Sequence, residues 1–70
     1  MRLEEEMTEL STYWNEGLRA DTVLKDGHYG ARFYDSHGVV IKTEFYKGHS
    51  ETYAENAAEN YVMGIKTLAI

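Results

Sequence analysis

Each of the three histidines sits beside a glycine, at Gly27-His28, His37-Gly38 and Gly48-His49. Histidine is a common zinc ligand, so the first question is whether the three converge. The alternating pattern around them places His37 at one end of a hairpin and His28 and His49 near the other, about 20 Å away at a strand's rise per residue. Three ligands cannot meet across that span, and two histidines without a close carboxylate make a poor site. Ser36-His37 and His49-Ser50 are chain neighbours in turns, not an oriented nucleophile and base, and there is no cysteine to serve instead. Paired catalytic carboxylates need a pocket that separates their pKa values, and so short a chain offers little room for one. The expectation is therefore a non-enzyme with no catalytic residue, no metal and no cofactor.

A second pattern is the stretch SETYAENAAENY, residues 50–61. It repeats Ala-Glu-Asn four residues apart, which on a helix puts alanines to one side and Glu51, Glu55, Asn56, Glu59 and Asn60 to the other. Thr52 and Glu55 have capping-box spacing, and Ser50 or Thr52 can cap the first turn. Ala54, Ala57, Ala58, Tyr61, Ile65 and Leu68 form the expected buried face. Small side chains there let a helix lie close on a sheet, leaving an acidic surface suited to a basic partner.

Seventy residues make one domain, 1–70, near the lower limit for an independent core. Without cysteine, that core has no disulfide or thiolate metal site to support it. One tryptophan, two phenylalanines and six tyrosines supply large buried areas, and the absence of proline suits regular elements joined by tight turns. Twelve acidic against seven basic residues argue against non-specific binding to nucleic acid or anionic membrane. The opening MRLEEEMTEL carries glutamates where a secretory leader needs an apolar run. No apolar stretch has bilayer-spanning length, so the expected location is cytoplasmic.

Leu3, Met7, Leu10 and Trp14 recur at helical spacing, and Gly17 follows as a C-terminal cap, which predicts a first helix. From Leu18 the period becomes two. Asp26-Gly27 predicts a two-residue hairpin turn that pairs Leu24 with Tyr29 and Thr22 with Ala31. Asp35-Ser36-His37-Gly38 predicts a type I turn with a glycine bulge, pairing Phe33 with Ile41, Ala31 with Thr43 and Tyr29 with Phe45. Both turns hide the same apolar set, so they agree on one register. The predicted fold class is α+β, an α-β-β-β-α chain with a three-stranded antiparallel meander and both helices packed on its Tyr29/Phe33/Ile41/Phe45 face.

In that arrangement the other sheet face carries Arg19, Lys25, Arg32 and Lys42 beside Tyr34 and Tyr46, with Arg32 opposite Lys42. Tyr34 and Tyr46 could stack on a ligand or on the bases of a single strand while the cations neutralise phosphate, which is the alternative reading of the surface. Self-association through the same face, giving a homodimer, is a third.

The last helix resembles the second helix of double-stranded-RNA-binding domains, which follows a comparable order of elements. Ser50, Ala54, Ala57 and Ala58 fit that family's pattern, whereas Glu51, Thr52 and Glu55 stand where its phosphate-binding lysines would be. The resemblance implies the topology and removes the family's RNA contacts. The segment 38–65, above all YAENAAENYVMGI, is similar to small uncharacterised proteins of tailed phages, notably T4-like phages of marine cyanobacteria. That similarity implies a viral accessory protein that docks on a host protein in the bacterial cytoplasm, with the acidic helix imitating a phosphate row.

Overall fold

The computed structural model describes residues 7–66. Four strands and one helix follow one another: β1 (Thr8–Asn15), β2 (Leu18–Lys25), β3 (His28–Tyr34), β4 (Val40–Phe45) and α1 (Glu51–Val62). The sheet order is β1-β2-β3-β4, each neighbouring pair antiparallel. The class is α+β, but the predicted α-β-β-β-α chain and three-stranded meander are corrected to four strands with a single helix among the described residues.

The segment expected to be the first helix is a strand from Thr8 onward, and Leu3 lies outside the described residues. Leu10 and Trp14, taken as part of a buried stripe, are exposed. Two local features favour the strand. Thr12-Tyr13-Trp14 is a run of β-branched and aromatic strand formers. Glu16-Gly17, with φ of 49° and 86°, is a two-residue hairpin turn and not a helix cap. Asp26-Gly27 repeats that geometry at 53° and 78°. Positive φ at both central positions matches the right-handed strand twist, and glycine takes the second position at least steric cost.

The Asp26-Gly27 turn gives the register expected of it, Leu24 opposite Tyr29 and Thr22 opposite Ala31. The next turn also forms as expected: Gly38 donates to the Asp35 carbonyl, and the Asp35 carboxylate accepts from the His37 and Val39 backbone. Those backbone donors hold the Asp35 carboxyl below the usual range. Beyond Tyr34, which faces Val40, a β-bulge inserts Ile41 and shifts the register by one. Phe33 then faces Lys42, Ala31 faces Glu44 and Gly30 faces Phe45. The expected pairs Phe33–Ile41, Ala31–Thr43 and Tyr29–Phe45 are thereby replaced. One residue of slip sends each later side chain of β4 to the opposite side.

Ser50 caps α1, its Oγ accepting from the Tyr53 N–H. The helix lies across β1, β2 and β3. Ala54, Ala58, Tyr61 and Val62 are its buried residues, set on Ala20, Ala31 and Phe33. The Tyr61 ring sits 5.0 Å from that of Phe33, and its hydroxyl donates to the Tyr34 carbonyl at 2.8 Å. Of the remaining expected core positions, Ala57 is half-buried, Ile65 is 72% exposed and Leu68 lies outside the described residues.

Candidate functional site

The candidate sheet-face residues divide between two sides. Register pairs run in rows across the face turned away from α1: Trp14–Arg19–Tyr34–Val40, Thr12–Asp21–Arg32–Thr43, and Glu9–Val23–Gly30–Phe45. Lys25 joins this side opposite His28. Arg19, Lys25, Arg32 and Tyr34 therefore share a face as predicted. Lys42 and Tyr46 do not, because the Ile41 bulge turns Lys42, Glu44 and Tyr46 toward the helix side. The expected Arg32–Lys42 repulsion is absent, since Thr43 stands opposite Arg32.

At the middle of the outer face is Asp21, fully buried although charged. Its carboxylate accepts five hydrogen bonds, from Thr12 Oγ1 at 3.0 Å, Arg19 Nε at 3.1 Å and Nη2 at 3.2 Å, Arg32 Nη2 at 2.9 Å and Tyr34 Oη at 2.7 Å. Burial alone would raise its pKa. The bonds from Tyr34, Arg32, Thr12 and Arg19 outweigh that and hold the carboxyl below its ordinary value. Burial and the bond to Asp21 push the Tyr34 phenol up. Arg32 also pairs with Glu9, and Arg19 lies between two rings, 5.3 Å from the Trp14 centroid and 4.2 Å from that of Tyr34. The Phe45 ring covers Gly30, where an added methyl would run into the ring and the Glu44 carbonyl.

Two of the four cations expected to meet a ligand here are thus held by carboxylates of the same face. Asp21 was not among the sequence-derived candidates, yet its signal was readable. The Asp26-Gly27 register puts Asp21 directly opposite Arg32, and Arg19 lies two residues before it on the same face. Trp14, 68% exposed at the end of its row, was missed because it was assigned to a helix core.

The helical candidates also separate. Glu51, Glu55 and Glu59 follow one another at four-residue spacing, the first two half-exposed and the last exposed. Asn56 and Asn60 are exposed and lie about a quarter-turn further round. They line a groove of about 340 Å³ along α1 with Tyr46, Tyr53, Ala57, Ile65 and Lys66. Among the described residues, no lysine, arginine or histidine lies within 4.0 Å of the Glu51, Glu55 or Glu59 carboxylates. No basic residue occupies the helix's last turn.

On the helix side of β4, Glu44 accepts from Tyr46 Oη at 2.7 Å and pairs with Lys42 at 3.4 Å and Lys66 at 3.3 Å. Burial, then the bond to Glu44, raises the Tyr46 phenol. His49 stacks on Tyr53 with centroids 3.8 Å apart, whereas His28 lies in β3 and His37 in the third turn. Among the described residues no three His, Cys, Asp or Glu side chains gather as a metal site, and no helix is long and apolar enough to cross a membrane. No family model, curated protein or solved structure matches the chain.

Proposed function

We propose that the protein is a non-enzymatic interaction module, a phage-encoded modulator or inhibitor that docks on a basic surface of a host protein in the bacterial cytoplasm. The contact is made by the flank of α1 bearing Glu51, Glu55 and Glu59, with Asn56 and Asn60 at its margin. One observation carries this reading: these three carboxylates have no cation in reach among the described residues, whereas Arg19 and Arg32 on the sheet are already paired. Three charges at four-residue spacing span about 12 Å of helix. An ordered negative row of that kind accelerates encounter with a positive patch and can stand in for phosphates.

The test is capture from host lysate with the tagged protein, followed by mass spectrometry. Charge reversal by Glu55→Lys with Glu59→Lys should lower recovery of the captured protein at least tenfold while the far-UV circular dichroism stays unchanged. Recovery equal to wild type would defeat the reading.

Trp14 supports a second reading, in which the outer sheet face binds a planar ligand or a single nucleic-acid strand. Its indole is largely exposed and is braced by Arg19, as a stacking platform requires. Trp14→Ala is the discriminating variant, because Tyr34 and Arg32 belong to the Asp21 network and their removal would disturb the fold. Quenching of Trp14 fluorescence by an oligonucleotide, lost on adding salt, would favour this reading over the first.

A further inference from the structure

We infer that the outer edge of β4 joins a second copy of this chain, strand to strand, about a two-fold axis through Thr43. The sheet order ends at β4, so among the described residues one side of that strand has no neighbour. Tyr46 donates its N–H to the Tyr29 carbonyl at 2.8 Å. Backbone groups alternate sides along a strand, so Glu44 and Lys42 also turn theirs toward β3, while Thr43 and Phe45 turn theirs outward. Unpaired edges template further strand pairing unless something blunts them. Here a bulge closes off the Ile41 end, leaving 42–45 as the regular edge.

The charges on that edge select both the occupant and the register. Lys42 and Glu44 project to the helix side, two residues apart and 3.4 Å from each other, yet with side chains still 34% and 23% exposed, so a second copy would extend this pair into a larger alternating cluster. An antiparallel copy centred on Thr43 sets Lys42 against the partner copy's Glu44, and Glu44 against its Lys42. Centring on Lys42 or on Glu44 would oppose like charges instead. With Thr43 as the hydrogen-bonded pair, the two charged pairs fall at non-hydrogen-bonded positions, where Cα atoms approach to about 4.5 Å and side chains meet most closely. Val40 and Phe45, 47% and 36% exposed, lie toward either end of the seam and extend it with apolar area. The pattern is complementary to itself, which a two-fold interface demands. This surface is separate from the α1 flank assigned to partner docking.

Sedimentation equilibrium tests the inference. A seam this short belongs to the small, transient class of interface, so the wild type should pass from one 8.1 kDa chain to two as concentration rises toward about 1 mM. Lys42→Glu and Glu44→Lys should each abolish the dimer, because each sets like charges opposite one another. An equimolar mixture of the two variants should restore it, since each then meets the opposite charge in the other. A wild type that stays monomeric throughout overturns the proposal. So does a mixture that remains monomeric while both variants keep the wild-type circular dichroism.

Discussion

Ala20 and Asp21 are neighbours in β2, and both are fully buried. Ala20 is covered by α1, within an apolar set that also holds Ala31, Phe33, Ala58, Tyr61 and Val62. Asp21 points the other way, where among the described residues no second layer covers it; arginine, tyrosine and threonine side chains of its own sheet fold over it. The helix side depends on non-directional burial, roughly proportional to area. The outer side depends on a buried charge whose acceptor sites are all filled, an arrangement that tolerates removal of a partner poorly. Without disulfides, the described residues thus close both faces of one sheet by unlike means.

Breaking the polar side should cost most. Asp21→Ala leaves two guanidiniums and a phenol converging on nothing, a loss of about 3–5 kcal/mol by analogy with broken buried ion pairs. That approaches the whole stability of a small domain. Chemical denaturation should show Asp21→Ala largely unfolded at 25 °C; a shift below 1 kcal/mol would mean the network is ornamental.

Overpacking the apolar side should cost less. Ala58→Leu forces extra methylenes between α1 and β2–β3 where Ala58 has no exposed surface, with an expected loss of about 1–3 kcal/mol. If this variant proved more damaging than Asp21→Ala, the ranking of the two faces would be reversed.

The gentlest discriminator is acid. A carboxyl held below its ordinary pKa in the fold contributes stability that is complete above the unfolded value, about 4, and is lost as pH falls through the folded value. The melting temperature should therefore be flat from pH 7 to about pH 5 and drop below about pH 4. The buried apolar cluster of Ala20, Ala31, Phe33, Ala58, Tyr61 and Val62 contains no carboxylate to titrate, although Glu44 lies on the same side at the β4 margin. A melting temperature unchanged at about pH 2.5 would show that Asp21 stores no net stability, although Asp35 and Glu44 titrate in the same direction.

How far the sequence reveals this depends on the element. Asp26-Gly27 and Asp35–Gly38 specify their turns locally, so the β2–β3 register was legible from residue types alone. The cap of α1 was legible as Ser50 or Thr52, of which Ser50 takes the role, and the alanine spacing marked Ala54 and Ala58 as buried, with Ala57 only half so. Glu16-Gly17 was ambiguous because a glycine after an amphipathic run suits a helix end and a hairpin alike; deciding between them needs the neighbouring strand. The Ile41 bulge had no local marker, and it moved Lys42 and Tyr46 off the face assigned to them. Among the site residues, Arg19, Arg32 and Tyr34 share one face as expected, and there they converge on Asp21. Their chemistry suits an anion, and the anion they meet within the chain is Asp21, whose burial a two-residue period alone does not mark.

The up-and-down order of strands carries a consequence for how the chain reaches its shape. Every strand finds its partner next along the polypeptide, and the helix comes last. Little loop-closure entropy must be overcome before the first contacts reward it, so folding should be quick for a protein with this much sheet. On a ribosome the strands can zip in order of emergence. Until α1 docks, however, the alanine-lined side of the sheet stays bare, so the interval between sheet formation and helix docking is when the chain is most open to chaperones.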